Sequence, residues 1–195
     1  MEDIKEKKNQ LRQSIIKKIT SISNNELKEK YENLKEKIFD FANFVEARIA
    51  LLYMSNNGEA ETKSIIKKSF EYNKIVVLPI FEAERNRFTL VKVDSIDGHF
   101  KEGHRGNLEP DPKKCKIVPM DCLDIAIIPG LAFDEKGGRI GTGKGYYDKL
   151  IPKIPITTRK VGIALEEQIV TQVPMESHDK YIDIIVTDKR VIYKI

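Results

Sequence analysis

The sequence predicts an α/β protein built on a largely parallel sheet, and three observations carry that expectation. Short apolar runs recur at 48–53, 74–80 and 124–130, and runs of this length bounded by turn residues read as strands buried on both faces. Between the first two lies a helical pattern at 62–72, with Ile65, Ile66 and Phe70 facing inward. Strand, helix, strand at this spacing is the right-handed crossover that joins parallel neighbours. The composition, 41% hydrophobic and 33% charged over 195 residues, is that of a globular chain with a full core. That length suits one domain, expected to span 1–195.

The elements follow in order. Residues 3–22 place Ile4, Leu11, Ile15, Ile16 and Ile19 at helical spacing, with Lys and Arg between them. Ser23, with Glu26 three residues on, has the capping-box pattern that opens a second helix, which carries Leu27, Tyr31, Leu34, Ile38 and Phe41. The two form a helical pair over about 3–41, expected to pack on the α/β core. Thr62 is the expected N-cap of the crossover helix. Residues 87–93 alternate like a half-exposed strand, and 94–116, polar and broken by Gly and Pro, read as a long loop of the kind that is often functional. Further strands are expected at 161–165 and 182–187, and a last one at 190–195.

Charge narrows the partners. Thirty-four Lys and Arg against 30 Asp and Glu give a net +4. The two signs are interspersed, without the basic stripe and interleaved aromatics of a nucleic-acid surface. The small positive excess suits anionic small molecules. Cys115 and Cys122 do not have a metal-ligand spacing and read as free thiols in a reducing compartment. No stretch approaches the roughly 18 apolar residues of a membrane span. The charged N-terminal residues do not form a secretory signal, so a cytoplasmic protein is expected.

The chemistry concentrates after residue 130. Gly137, Gly138, Gly141, Gly143 and Gly145 fall close together, followed by a helical start at Tyr146-Tyr147-Asp148. Glycines let backbone N–H groups approach phosphate oxygens, and Arg139 and Lys144 supply counter-charge, so the segment suits a nucleoside triphosphate. Gly138, Gly143 and Lys144 have P-loop spacing, but Gly145 stands where a hydroxyl should meet magnesium. Asp148 is the substitute metal ligand, because magnesium favours carboxylate and phosphate oxygens. The bland reading is a glycine-rich hairpin without a ligand.

The run Pro129-Gly130-Leu131-Ala132-Phe133-Asp134, continued by Gly137, Arg139, Gly141 and Gly143-Lys144-Gly145-Tyr146-Tyr147-Asp148, resembles the signature of the 5-formyltetrahydrofolate cyclo-ligase family. Lys8-Asn9-Gln10-Leu11-Arg12 resembles its N-terminal element, Glu59 and Thr62 its E-x-x-T element, and Leu108-Glu109-Pro110 the end of its mid-chain loop motif. Pro174, Glu176, His178, Asp179 and Asp183 resemble its C-terminal pattern. The resemblance implies a three-layer α/β/α sandwich around a mostly parallel, Rossmann-like sheet. It also implies ATP- and magnesium-dependent conversion of 5-formyltetrahydrofolate to 5,10-methenyltetrahydrofolate, with release of ADP and phosphate. The γ-phosphate would go to the formyl oxygen, N10 would attack the formyl carbon, and phosphate would leave with that oxygen.

By the same resemblance, ATP meets Lys8, Asn9, Gln10, Leu11 and Arg12, and Arg139, Ile140, Gly141, Thr142, Gly143, Lys144, Gly145, Tyr146 and Tyr147. Folate contacts Met54 and Glu59 and shares Thr142 to Tyr146, magnesium takes Asp148 and Asp183, and Lys144 and Arg139 steady the moving phosphoryl group. The partners are these small molecules, not nucleic acid or membrane, and the assembly is a monomer or weak homodimer. Bland readings stand beside these: Lys8 and Arg12 as a solvated helix face, Glu59 as complement to a helix dipole, Asp183 as a strand-edge acid, and His178 as proton shuttle or structural histidine. The alternative function is a non-catalytic folate- or nucleotide-binding module on the same fold. Two departures stand out. Thr142 replaces an Arg of some relatives, and Arg105 stands where the family has an aromatic to stack on folate, a role open also to Phe100 or His104.

Overall fold

The computed structural model describes residues 3–82, 87–96, 100–103 and 108–194. Two helices of 17 residues each lead the chain, α1 (Ile4–Thr20) and α2 (Asn24–Asp40). Ser23 is extended and its hydroxyl accepts the Glu26 N–H at 3.3 Å, a cap that contributes about 1 kcal/mol. The Glu26 carboxylate approaches Lys30 Nζ at 3.7 Å. A short α3 (Ala42–Glu46) leads into β1 (Ile49–Leu51). The crossover helix α4 (Lys63–Glu71) follows, with Thr62 at its N-cap position as expected but making no side-chain cap bond. Thr62 is buried and its hydroxyl donates to the Tyr53 carbonyl, while the Glu61 carboxylate accepts from the Lys63 and Ser64 N–H groups. A residue whose hydroxyl ties the strand exit to the helix entry cannot also turn it to the helix end.

Next come β2 (Ile75–Glu82), β3 (Arg87–Val93), β4 (Phe100–Glu102), β5 (Leu108–Pro110) and β6 (Lys116–Ile117). The stretch expected as a loop therefore holds an antiparallel β4–β5 hairpin and a strand, β6, on the edge of the main sheet. These pieces are two or three residues long, too short to show a period of two. The chain continues with β7 (Ile125–Ile128), β8 (Ala132–Asp134), β9 (Arg139–Ile140), α5 (Tyr146–Leu150), β10 (Arg159–Ala164), β11 (Ile169–Val170), β12 (Ile184–Thr187) and β13 (Val191–Tyr193).

The main sheet runs β13-β12-β10-β7-β1-β2-β3-β6. Its middle, from β12 to β2, is parallel throughout, and β3, β6 and β13 add antiparallel pairings at the margins. The expected fold class holds, with helices packed about a mostly parallel sheet. From β1 the chain steps outward to β2, and from β7 it steps the opposite way to β10 and β12. With right-handed crossovers, the two sets of connections fall on opposite faces. A crevice opens where the direction reverses, between the C-terminal ends of β1 and β7, and such a switch point is where open α/β sheets bind ligands. Burial runs continuously from Ile15 on α1, through Leu51, Val77, Ile127 and Val161 of the sheet, to Ile192 on β13. Among the described residues no helix is long and apolar enough to cross a membrane.

Candidate functional site

At that switch point lies a cavity of about 420 Å³, within the range of small-molecule sites. Five parts of the chain line it: α1, Glu59 in the loop after β1, Pro129 after β7, the 139–148 segment, and the loop carrying Glu176, His178 and Asp179.

The glycine-rich segment divides in two. Gly137 and Gly138 do not line the cavity; they close the turn of the β8–β9 hairpin. Asp134 organises that turn: its buried carboxylate accepts the N–H groups of Lys136 at 3.0 Å, Gly138 at 2.8 Å and Val173 at 2.7 Å. Gly141, Gly143 and Gly145 do line the cavity. Gly143 and Gly145 have φ of 95° and 66°, a region costly to any residue with a Cβ. Of the five glycines expected to form a cradle, three line the cavity and the other two shape the hairpin beside it.

Arg139 lines the cavity and is held in place by its own bonds. It is 5% exposed. Its Nη1 donates to the Pro129 carbonyl at 3.0 Å, its Nη2 donates to Asp148 Oδ1 at 2.7 Å, and its buried Nε has no hydrogen-bond partner among the described residues. A guanidinium so committed holds Asp148 at the cavity wall, and the pair compensates the cost of burying each charge. Lys144 and Thr142 are exposed on the loop. Ile140 and Tyr147 are buried, and the half-buried Tyr146 packs at a tilt of 55° against Phe81, with ring centroids 4.2 Å apart.

On α1, Lys8, Asn9 and Arg12 line the cavity, whereas Gln10 and Leu11 do not. Positions 8, 9 and 12 share one helix face. Gln10 points to Glu6, with Nε2 3.4 Å from Oε1, and Leu11 packs on the core. Arg12 Nε donates to the Gly141 carbonyl at 2.9 Å and Nη1 to Asn9 Oδ1 at 2.6 Å. Burial lowers its pKa, against the opposing pull of Asp179 and Asp148. Lys8 is buried, with Nζ 2.6 Å from Glu176 Oε2 and 2.5 Å from Asp179 Oδ2.

Glu59 also lines the cavity, and its Oε2 accepts the Asn56 N–H at 2.8 Å, so it closes its own loop. Met54 packs against the core and does not line the cavity. Nor does the structure bring Asp183 to Asp148. Asp183 immediately precedes β12, where its Oδ2 accepts the Lys160 N–H at 2.9 Å beside the start of β10. Asp148 belongs to the opposite, C-terminal end of the strands. In a parallel sheet a residue before one strand and a residue beyond another lie a strand length apart, roughly 13 Å at four residues. Phe100 lies in β4 against a separate cavity of about 390 Å³. His104 and Arg105 fall outside the described residues.

The sequence reading missed Lys5, Pro129, Asp134 and the Glu176–Asp179 pair as parts of this region. Only the recurrence of Glu176 and Asp179 within a family-like pattern marked the last two. Their contacts to Lys8 span 168 and 171 residues and leave no local signal. For a cation, Asp148 offers a carboxylate at the cavity wall, and one carboxylate completed by phosphate oxygens and water is a magnesium-type donor set. Glu176, His178 and Asp179 offer ligand atoms within 4.8 Å of one another, but the Lys8 ammonium already bridges the two carboxylates.

Comparison with known proteins agrees along the whole chain. The model of the 5-formyltetrahydrofolate cyclo-ligase family matches residues 4–188. A Haemophilus influenzae protein named 5-formyltetrahydrofolate cyclo-ligase is 34% identical over 70% of this chain and 75% of its own. A Caenorhabditis elegans protein named "Probable 5-formyltetrahydrofolate cyclo-ligase" is 32% identical over 98% of both. The NMR structure of Aquifex aeolicus 5,10-methenyltetrahydrofolate synthetase superposes with a TM-score of 0.81 at 28% identity, covering 95% of this chain and 92% of that one.

Proposed function

From a chain that belongs to the 5-formyltetrahydrofolate cyclo-ligase family, we propose a working site at the switch-point cavity, with the glycine-rich loop as the seat of the ATP phosphates. The reaction is the ATP-dependent conversion of 5-formyltetrahydrofolate to 5,10-methenyltetrahydrofolate. The observation that carries the site reading is the convergence of Arg12, Lys144, three glycines and Asp148 on one cavity.

In this reading the chain forms no covalent bond to substrate. Its work is positioning and charge stabilisation, as in phosphoryl transfer generally. Lys144, exposed on the loop, meets the phosphate oxygens as the γ-phosphoryl group passes to the formyl oxygen and ADP leaves. The loop N–H groups are preorganised donors, each contributing about 3 kcal/mol in the transition state. Arg139 is a positioning residue that holds Asp148. Asp148 would hold magnesium, which would supply charge neutralisation at the phosphates. Glu59 and the Tyr146 ring border the folate. N10 attack then closes the ring, and phosphate leaves with the former formyl oxygen.

The same proposal takes 1–195 as one working domain, supported by burial that runs unbroken from α1 to β13. It takes the partners as small molecules, met by a cytoplasmic monomer or weak homodimer, and not nucleic acid or membrane; the interspersed charges support this. The test is to mix the protein with 5-formyltetrahydrofolate and Mg-ATP and follow the methenyl absorbance. No rise above a boiled control sinks the enzymatic reading. Tight folate binding without ATP turnover would favour a binding module instead.

A further inference from the structure

We propose that Glu176 and Asp179 are positioning residues for nucleotide binding: they hold the Lys8 ammonium at the cavity wall and so fasten α1 across the glycine-rich loop. The proposal rests on the nucleotide-site reading above. Lys8 Nζ lies 2.6 Å from Glu176 Oε2 and 2.5 Å from Asp179 Oδ2. The acceptor loop is itself closed. Asp179 Oδ2 also takes the Glu176 N–H at 2.7 Å, and the Asp179 N–H donates to the Glu176 carbonyl at 3.1 Å. The carboxylate that holds Lys8 is therefore fixed before Lys8 arrives.

One helical turn along α1, Arg12 donates to the Gly141 carbonyl at 2.9 Å. The two anchors, about 6 Å apart along the axis, tie α1 to both walls of one cavity. A lysine stem has four rotatable bonds and three N–H donors. Two donors are used by the carboxylates, which freezes the stem and leaves one N–H for an incoming phosphate oxygen. Preorganisation of this kind removes an ordering cost from binding. Burial alone would lower the Lys8 pKa, but the bonds from Asp179 and Glu176 outweigh it and raise it, so the ammonium stays charged. Asp179 is lowered for the complementary reason: burial pushes it up, and the Lys8 ammonium and the Glu176 N–H pull it further down. His178, its side chain 68% exposed, stands 3.5 Å from Asp179 Oδ1 and 3.9 Å from Glu176 Oε2.

The experiment measures ADP affinity by calorimetry, and the ATP KM and kcat, for the wild-type chain, Glu176→Gln/Asp179→Asn, Lys8→Met and the triple variant. The expected result is about 10-fold weaker ADP binding for the double variant, a matching rise in KM, and kcat within about 2-fold. The triple variant should bind ADP no worse than Lys8→Met alone, because the carboxylates act through Lys8. If the double variant does not fold, Glu176→Gln, which spares the Asp179 turn, should still weaken binding about 3-fold. A folded variant with unchanged affinity overturns the proposal, since a merely structural pair moves only the melting temperature. Tighter ADP binding overturns it too, by showing that the acids withhold Lys8 from phosphate. If the wild-type chain binds no ADP, the nucleotide-site reading has failed; if it binds and the variants bind equally, only the positioning role has.

Discussion

Two lysines fasten the N-terminal helices to the rest of the chain in nearly the same way. On α1, Lys8 sits between Glu176 and Asp179 at 2.6 and 2.5 Å. On α2, Lys30 lies 2.8 Å from Glu167 and 3.7 Å from Asp188, with Glu26 also 3.7 Å away. Both lysines are about equally buried, at 8% and 9% exposed. Both have raised pKa values, but the balance differs. For Lys8 burial is the largest influence and works against the charge, whereas for Lys30 the bond to Glu167 is the largest and works for it. Lys8 faces the switch-point cavity and Lys30 does not. The same ionic fastening therefore serves two ends: one spans the proposed site, and the other pins a helix beside β12. The chemistry of the group does not tell them apart; its place on the sheet does.

Four substitutions should separate the cavity from the second fastening. The largest effect is expected at the cavity. Lys144→Ala should lower turnover by about 100-fold or more while the melting temperature stays put, and an unchanged rate removes Lys144 from the site. Asp148→Asn should raise the magnesium concentration for half-maximal rate by about 10-fold; saturation at the same concentration refutes the metal role.

The third test concerns the other fastening. Lys30→Met should cost about 2 kcal/mol of stability in urea titration and leave ADP affinity within about 2-fold. A large loss of affinity would erase the distinction between the two lysines. Its pH dependence has a defined sign. Glu167 titrates below its ordinary value of 4.5: burial pushes it up, and the bond to Lys30 outweighs that. A depressed acid stabilises above its unfolded pKa and loses that contribution as pH falls through the folded one. Lys30 is raised above 10.5, so its contribution is full below that value and is lost at higher pH. The gap between wild type and variant should be widest near neutrality and narrow as pH drops below about 4.5. The smallest effect belongs to Asp183→Asn, which should cost about 1 kcal/mol through its bond to the Lys160 N–H and leave the magnesium requirement unchanged. A shifted requirement would bring Asp183 back to the metal.

The amino-acid pattern alone dictated the elements with a strong period or a strong run. The buried strands at β1, β2, β7, β10 and β12, the crossover helix and the helical pair follow from apolar spacing, because the hydrophobic effect acts on local pattern before any contact is known. It also determined the loop's character, since glycines flanked by cations can be recognised from composition alone, and the family could be read from its ordered motifs. Tertiary structure decided what depends on partners distant in the chain. It made Arg139 the holder of Asp148, drew Lys8 to an acidic pair more than 160 residues away, and gave Gly137 and Gly138 to a turn organised by Asp134. It sent Asp183 to the far end of the strands from Asp148, because two acids near strands in the sequence meet only if they share an end of the sheet. That is fixed by strand order and direction, which no spacing along the chain records.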